Sequence, residues 1–254
     1  METKIITFAN HKGGVGKTTT AACVGSVLAS KGKKTLLIDL DAQANLTISL
    51  YPGDTETLSQ TVYDSLSKGV SLPIVPIAEN LSLVPASLNL AMADIELCQR
   101  MCRETILKSL IDPIKGNYDF ILIDCPPSLG LLTLNAFVTS NEIIIPLKAE
   151  VLPYKGLETV FNFLKPVQQQ LNSQAHITGI LITQKEGRAK LPSMLESGLR
   201  EQQAIHVFDT VIRKNIRLAE APAEKKSIIE YDPECNGAKD YATFTDELLT
   251  YLGL

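Results

Sequence analysis

Several stretches of this chain are apolar without a break: the cores of KTLLIDLD, YDFILIDCPP, EIIIPLK and ITGILIT. A strand with one wet face alternates apolar and polar residues, so a strand that is apolar throughout has to be covered on both faces. KIITFAN near the start, NLSLVPA and HVFDTVI repeat the type. Helical patterns lie between several of these runs, at 129–139, 154–171, 192–203 and 215–222, and a last one covers GAKDYATFTDELLTYL. Strands alternating with helices predict an α/β fold: a mostly parallel twisted sheet with right-handed crossovers, flanked by helices. No linker, repeat or low-complexity tract interrupts the pattern, so residues 1–254 are expected to form one domain. Residues 51–80, with Pro52, Gly53, Pro73 and Pro76, are the least regular part, and their order is not readable.

The first apolar run leads into HKGGVGKTTT. Glycines let consecutive backbone N–H groups turn inward with no Cβ in the way. The helix expected after them, ending at Gly32, would turn its positive end toward an anion. Strand, glycine loop, then helix is the setting of a phosphate-binding loop. Lys17 would reach the β- and γ-phosphates, and the Thr18 hydroxyl would ligate Mg²⁺. The common spacing fails in one place, because His11 stands where a glycine is usual. His11 has no visible partner to orient it, and a loop-packing role is favoured over catalysis. Lys12 is either a solvated loop lysine or an extra cation for the phosphates.

Magnesium and an attacking water need carboxylates. Asp39 and Asp41 end the second apolar run, and Asp124 ends DFILID. In a parallel sheet such strand ends share an edge with the glycine loop. A buried aspartate without a cation is costly. Asp124 therefore reads as a magnesium ligand, direct or through water; a structural strand-end cap is the alternative.

Lys12-Gly13-Gly14-Val15-Gly16-Lys17-Thr18 resembles the deviant Walker A loop of the ParA/MinD ATPases. The resemblance extends over nearly the whole chain, through VPASLNLAMADIEL, PLKAEVLPYKGL and VIRKNIRLAEAPAEKKSIIEYDP, which look like segments of the small ParA partition ATPases often called Soj. It implies a P-loop NTPase that binds ATP and Mg²⁺ and forms a homodimer around two nucleotides. Lys12 would then be the signature lysine, reaching the partner's ATP; a cation supplied in trans is worth ~10³–10⁵ in rate in related chemistry. Asp39-Leu40-Asp41-Ala42-Gln43-Ala44-Asn45 is similar to the family's switch I. Asp41 would orient the attacking water and Asp39 would support the Mg²⁺ shell. Ala42 and Ala44 replace a proline and a glycine common in relatives, a change in loop stiffness. Pro126-Pro127 resembles switch II. Thr19 completes the nucleotide set, and Asn215 would contact the adenine, although Arg213-Lys214-Asn215 departs from the family's Pro-Arg-Asn.

The same resemblance implies nonspecific binding of double-stranded DNA by the ATP-bound dimer, with Arg188 and Arg217 on phosphates. Lys190, Arg200, Arg213, Lys214, Lys225 and Lys226 are candidates to widen that patch. A net charge of −4 excludes binding by bulk charge, so a local patch is required. A ParB-like centromere-binding partner is implied as the activator of slow hydrolysis. Strand one begins almost at once, which leaves no room for a helix-turn-helix extension, and operator binding is not expected.

The runner-up is a MinD-like membrane-associated positioning ATPase. That role needs a basic amphipathic C-terminal helix. Here nothing basic follows Lys239, while Asp240, Asp246 and Glu247 do. No run approaches the length of a membrane span, and a cytoplasmic, nucleoid-associated location is expected. The five cysteines never occur as CxxC. Cys98 and Cys102 are four apart, so they are expected to share a helix face and read as buried thiols; an iron–sulfur carrier is disfavoured. A metabolic ligase on the same loop is disfavoured by the DNA-facing segments.

Overall fold

The computed structural model describes residues 2–148, 154–186 and 205–254. Eight strands form one sheet: β1 (Lys4–Phe8), β2 (Thr35–Asp39), β3 (Val75–Ala78), β4 (Leu81–Val84), β5 (Phe120–Asp124), β6 (Glu142–Lys148), β7 (His176–Lys185) and β8 (Val207–Arg213). Their spatial order is β3-β4-β2-β5-β1-β6-β7-β8. Every pair is parallel except β3–β4.

The unbroken apolar runs are explained by two cores. Ile5, Leu36, Ile38, Ile121 and Ile123 belong to one layer, together with residues of the helices Ile106–Ile111, Leu131–Thr139 and Tyr154–Gln170. Ile6, Phe8, Leu37, Leu122 and Ile144 belong to the other, under helix α1 (Lys17–Ser30) and the C-terminal helix Asn236–Tyr251. Successive side chains of a strand point to opposite faces, so both must be apolar when both are covered.

α1 begins one residue before the expected TTTAACV stretch and ends with Lys31 as its cap and Gly32 at φ 77°. The segment 51–80 supplies helix α3 (Val62–Lys68), which follows the short helix α2 (Asn45–Leu50), and then β3. α3 opens on a capping box, in which the Thr61 side chain accepts from the third-residue amide and Asp64 returns a carboxylate to the Thr61 amide. The expected helix at 215–222 is two short turns, Arg217–Glu220 and Ala221–Glu224, and the one at 192–203 lies outside the described residues.

Two edges end the sheet. β3 carries Pro76, which donates nothing to a ladder. β8 is covered by the C-terminal helix: the Glu247 carboxylate accepts from the amides of Asp209 (2.5 Å) and Thr210 (2.9 Å), and Asp240 accepts from the amide of Arg213 (3.0 Å). Seven helix residues rise about 10 Å, and three strand residues span about 10 Å. The two carboxylates are thus spaced to meet amides three residues apart on β8, whose chain runs opposite to the helix.

The cysteine reading needs correction. Cys23 and Cys125 are buried, but Cys98 and Cys102 are both exposed. Cys98 follows the end of the helix Ala93–Leu97, and Cys102 adopts φ 53° before a new turn, so they do not share a helix face.

Candidate functional site

β1, β2 and β5 end together on the edge where the glycine loop leaves β1. The loop is held from several sides. Asn10 is buried; its amide nitrogen donates to Pro146 O (2.8 Å) and its oxygen accepts from the Lys12 amide (3.0 Å). Thr183 Oγ1 donates to Val15 O (2.8 Å) and Gln184 Nε2 to Gly14 O (2.7 Å), both from the end of β7. Gly14 and Gly16 take φ 70° and 89°, the left-handed region where a Cβ is strained. Gly16 caps α1 with no side-chain bond. Lys17, in the first turn, is buried and folds back to donate from Nζ to the carbonyl of half-buried Lys12 (3.1 Å). Burial lowers the Lys17 pKa, and Asp124 opposes that effect most strongly.

His11 meets its expectation as a packing residue: its ring lies against Gly156, where a Cβ would approach Cε1 to 2.5 Å.

The three aspartates divide their work. Asp39, fully buried, is saturated. Its Oδ1 accepts from the Asp41 amide (3.1 Å), and its Oδ2 accepts from the Thr47 amide (2.9 Å) and hydroxyl (2.7 Å). It ties the switch segment to α2. Burial pushes its pKa up to about 6 against those bonds. Asp41 is buried less completely, and one of its oxygens accepts from the Gln43 amide (3.0 Å). Asp124 is fully buried, and neither carboxylate oxygen completes a hydrogen bond. Burial first, then the Asp39 carboxylate, holds its pKa well above the usual range, while the Thr18 hydroxyl and Lys17 pull it back.

A buried carboxylate that completes no hydrogen bond, next to a threonine hydroxyl and a phosphate-type loop, suits a hard cation with oxygen ligands. Among the described residues no three His, Cys, Asp or Glu side chains converge as a ready-made metal cage. Magnesium keeps its waters and arrives on phosphates, so one or two protein oxygens suffice. The residues present fit it.

Beyond the loop lies a cleft of about 410 Å³ lined by Gly16, Thr19, Arg213, Asn215, Ile216 and Tyr241, among others. It has the size and mixed lining of a base-and-sugar site. Asn215 Oδ1 accepts from the Arg217 amide (2.9 Å). A larger hollow, near 670 Å³, lies behind α1 and away from all three aspartates.

A family model described as an AAA domain matches residues 3–177. The sporulation initiation inhibitor protein Soj of Bacillus subtilis is 41% identical over 250 residues, spanning 96% of this chain and 98% of that protein. The chromosome-partitioning ATPase Soj of Treponema pallidum is also 41% identical, spanning 97% of each. The chain belongs to the Soj/ParA family. A crystal structure of a cobyrinic acid a,c-diamide synthase from Mycobacterium smegmatis, with ATP analogue and magnesium bound, superposes with a TM-score of 0.86 at 32% identity, covering 99% of this chain and 96% of that one.

Of the residues the Soj/ParA resemblance singles out, the structure brings together Lys17, Thr18, Asp39, Asp41 and Asp124, sets the Lys12 carbonyl on the Lys17 ammonium, and has Thr19 and Asn215 line one cleft. The basic residues are scattered in their duties. Arg217 pairs with Glu220 (2.9 Å) and Asp232 (3.4 Å), Lys214 with Glu186, and Arg213 with Asp240 (2.6 Å). Lys225 donates to Gly53 O (2.5 Å). Arg188, Lys190 and Arg200 lie outside the described residues. Sequence reasoning missed Asn10, Thr47, Thr183, Gln184 and Tyr241, whose partners are 39 to 221 positions away except for the local Asn10–Lys12 and Thr47–Asp39 bonds. No helix among the described residues is long and apolar enough to cross a membrane.

Proposed function

We propose that this chain is a ParA-type partition ATPase that binds MgATP, pairs with a second copy around two nucleotides, and binds double-stranded DNA without sequence preference. The observation that carries the reading is Asp124, buried and unbonded beside Thr18, in a chain 41% identical to two Soj proteins over nearly its full length. Lys12 to Thr19 cradle the phosphates through loop amides, the Lys17 ammonium and the α1 N-terminus. Thr18 and Asp124 hold Mg²⁺, and Asp39 supports that shell by fixing the switch. Magnesium supplies charge neutralisation across the phosphates. Asp41 orients the attacking water. Each copy lends its Lys12 to the other's triphosphate, where charge gathers during transfer. Asn215 meets the base. Arg188 and Arg217 meet DNA phosphates, which carry no sequence information. Arg217 exchanges its present carboxylates for them. A ParB-like centromere-binding protein accelerates hydrolysis, and the protein works in the cytoplasm on the nucleoid.

The test is DNA retention with ATP, ADP and no nucleotide across a salt series. DNA should be held only with ATP, and log affinity should fall linearly with log salt. Equal retention in all three states refutes the partition reading. Lys12→Ala should keep MgATP binding and lose dimerisation and turnover.

A further inference from the structure

The C-terminal helix sets two adjacent side chains against the nucleotide site, Asp240 on Arg213 and Tyr241 on Thr20. Asp240, buried, grips Arg213 at the end of β8. It accepts from the Arg213 amide (3.0 Å), from Nε (3.0 Å) and from Nη2 (2.6 Å). Arg213 and Asn215 line the wall of the cleft. Tyr241 is fully buried at the same cleft, and its hydroxyl lies 3.1 Å from Thr20 Oγ1. Thr20 spends its one hydroxyl proton on Gly16 O (2.7 Å). Tyr241 must therefore be the donor to Thr20, and burial keeps its phenol protonated.

This relay ends on the carbonyl of Gly16, which also accepts from the Thr20 amide (2.9 Å). In a trans peptide the C=O and the following N–H point in opposite directions. Holding the Gly16 carbonyl toward the helix therefore turns the Lys17 amide outward, into the loop. Asp240 bears on the cleft through Arg213, and the Tyr241 hydroxyl bears on the loop through Thr20. Each acts through another residue.

We propose that Asp240 and Tyr241 are positioning residues for the nucleotide: Asp240 sets the wall against which the base rests, and Tyr241 sets the phosphate loop. The proposal rests on the nucleotide-binding reading above.

The two arms separate by ligand. Binding of MgADP and of magnesium tripolyphosphate, which has phosphates but no base, is measured calorimetrically on the full chain. Asp240→Asn should weaken MgADP about tenfold, as loss of a charged hydrogen-bond set implies, and leave tripolyphosphate unchanged. Asp240→Glu should recover part of the loss. Tyr241→Phe, which keeps the volume, should weaken both ligands by the same factor. Arg213→Gln removes the ion pair from the exposed side and should reproduce part of the Asp240→Asn effect even where that variant folds poorly. The proposal is overturned if both Asp240→Asn and Tyr241→Phe bind MgADP like the unsubstituted protein, or if Asp240→Asn weakens the two ligands equally. Failure of the unsubstituted protein to bind either ligand overturns the nucleotide reading itself.

Discussion

Asp39 and Asp124 occupy matching positions on neighbouring parallel strands, yet one carboxylate accepts three hydrogen bonds and the other accepts none. Two buried acids side by side raise each other's pKa, and burial raises both. The difference in hydrogen bonding assigns them different duties. Asp39 shapes the switch, and Asp124 keeps its oxygens for an incoming cation.

That pair gives the metal-free protein a pH dependence. Both folded-state pKa values lie above those of the unfolded chain, Asp39 at about 6 and Asp124 well above 3.8. Between about pH 4 and 6 the folded state therefore holds more protons, and stability falls as pH rises. The lowered pKa of Lys17 acts on the alkaline side, below 10.5, with the opposite sign. Urea melts in EDTA should show the acid-side loss, and MgADP should flatten it.

Asp124→Asn removes a buried charge that completes no hydrogen bond and that burial disfavours beyond what Thr18 and Lys17 return. The metal-free protein should gain about 1–3 kcal/mol at pH 7, while the stabilisation by MgADP shrinks. Chemical denaturation with and without ligand measures both; a destabilised metal-free variant contradicts the cation-site assignment.

Thr47 is fully buried and bonded at each end, donating to Asp39 Oδ2 and accepting from the Ala86 amide (2.9 Å). Thr47→Val keeps the shape and leaves two groups short of a partner. The cost should be about 2–4 kcal/mol, read as a lower urea midpoint with an unchanged slope.

Ala44 sits at φ 52°, in the left-handed region, directly before α2. Alanine tolerates this at a cost of about 1 kcal/mol, and a β-branched residue does not. Ala44→Val should lose a further ~1–2 kcal/mol in denaturant melts, whereas Ala44→Gly should stay within about 0.5 kcal/mol as relief of strain offsets the greater freedom of the unfolded chain.

Gly156 lies where a Cβ would collide with His11. Gly156→Ala should destabilise by about 1–2 kcal/mol despite its better helix propensity. Adding His11→Ala should restore stability, with a coupling above ~1 kcal/mol in the double-mutant cycle.

The strands that build the site were legible because burial on both faces writes an unbroken apolar run, as in FILID. β3 was not, since Pro76 and its half-exposed alternation belong to an edge. The loop and its aspartates were legible because their order along the chain follows the strand ends. Tyr241 was not, because its partner Thr20 is 221 positions away and only the packing of the last helix on α1 brings them together. The exposure of Cys98 and Cys102 escaped notice because a four-residue spacing implies a common face only where a helix persists, and here the helix stops at Leu97.

The covering of β8 by Asp240 and Glu247 reaches beyond that strand. With amides of Asp209, Thr210 and Arg213 on one border taken by carboxylates and Pro76 on the other, neither edge offers an unbroken row of donors to a second sheet. The dimer proposed above, closing over the glycine turn at the strand ends, needs neither border.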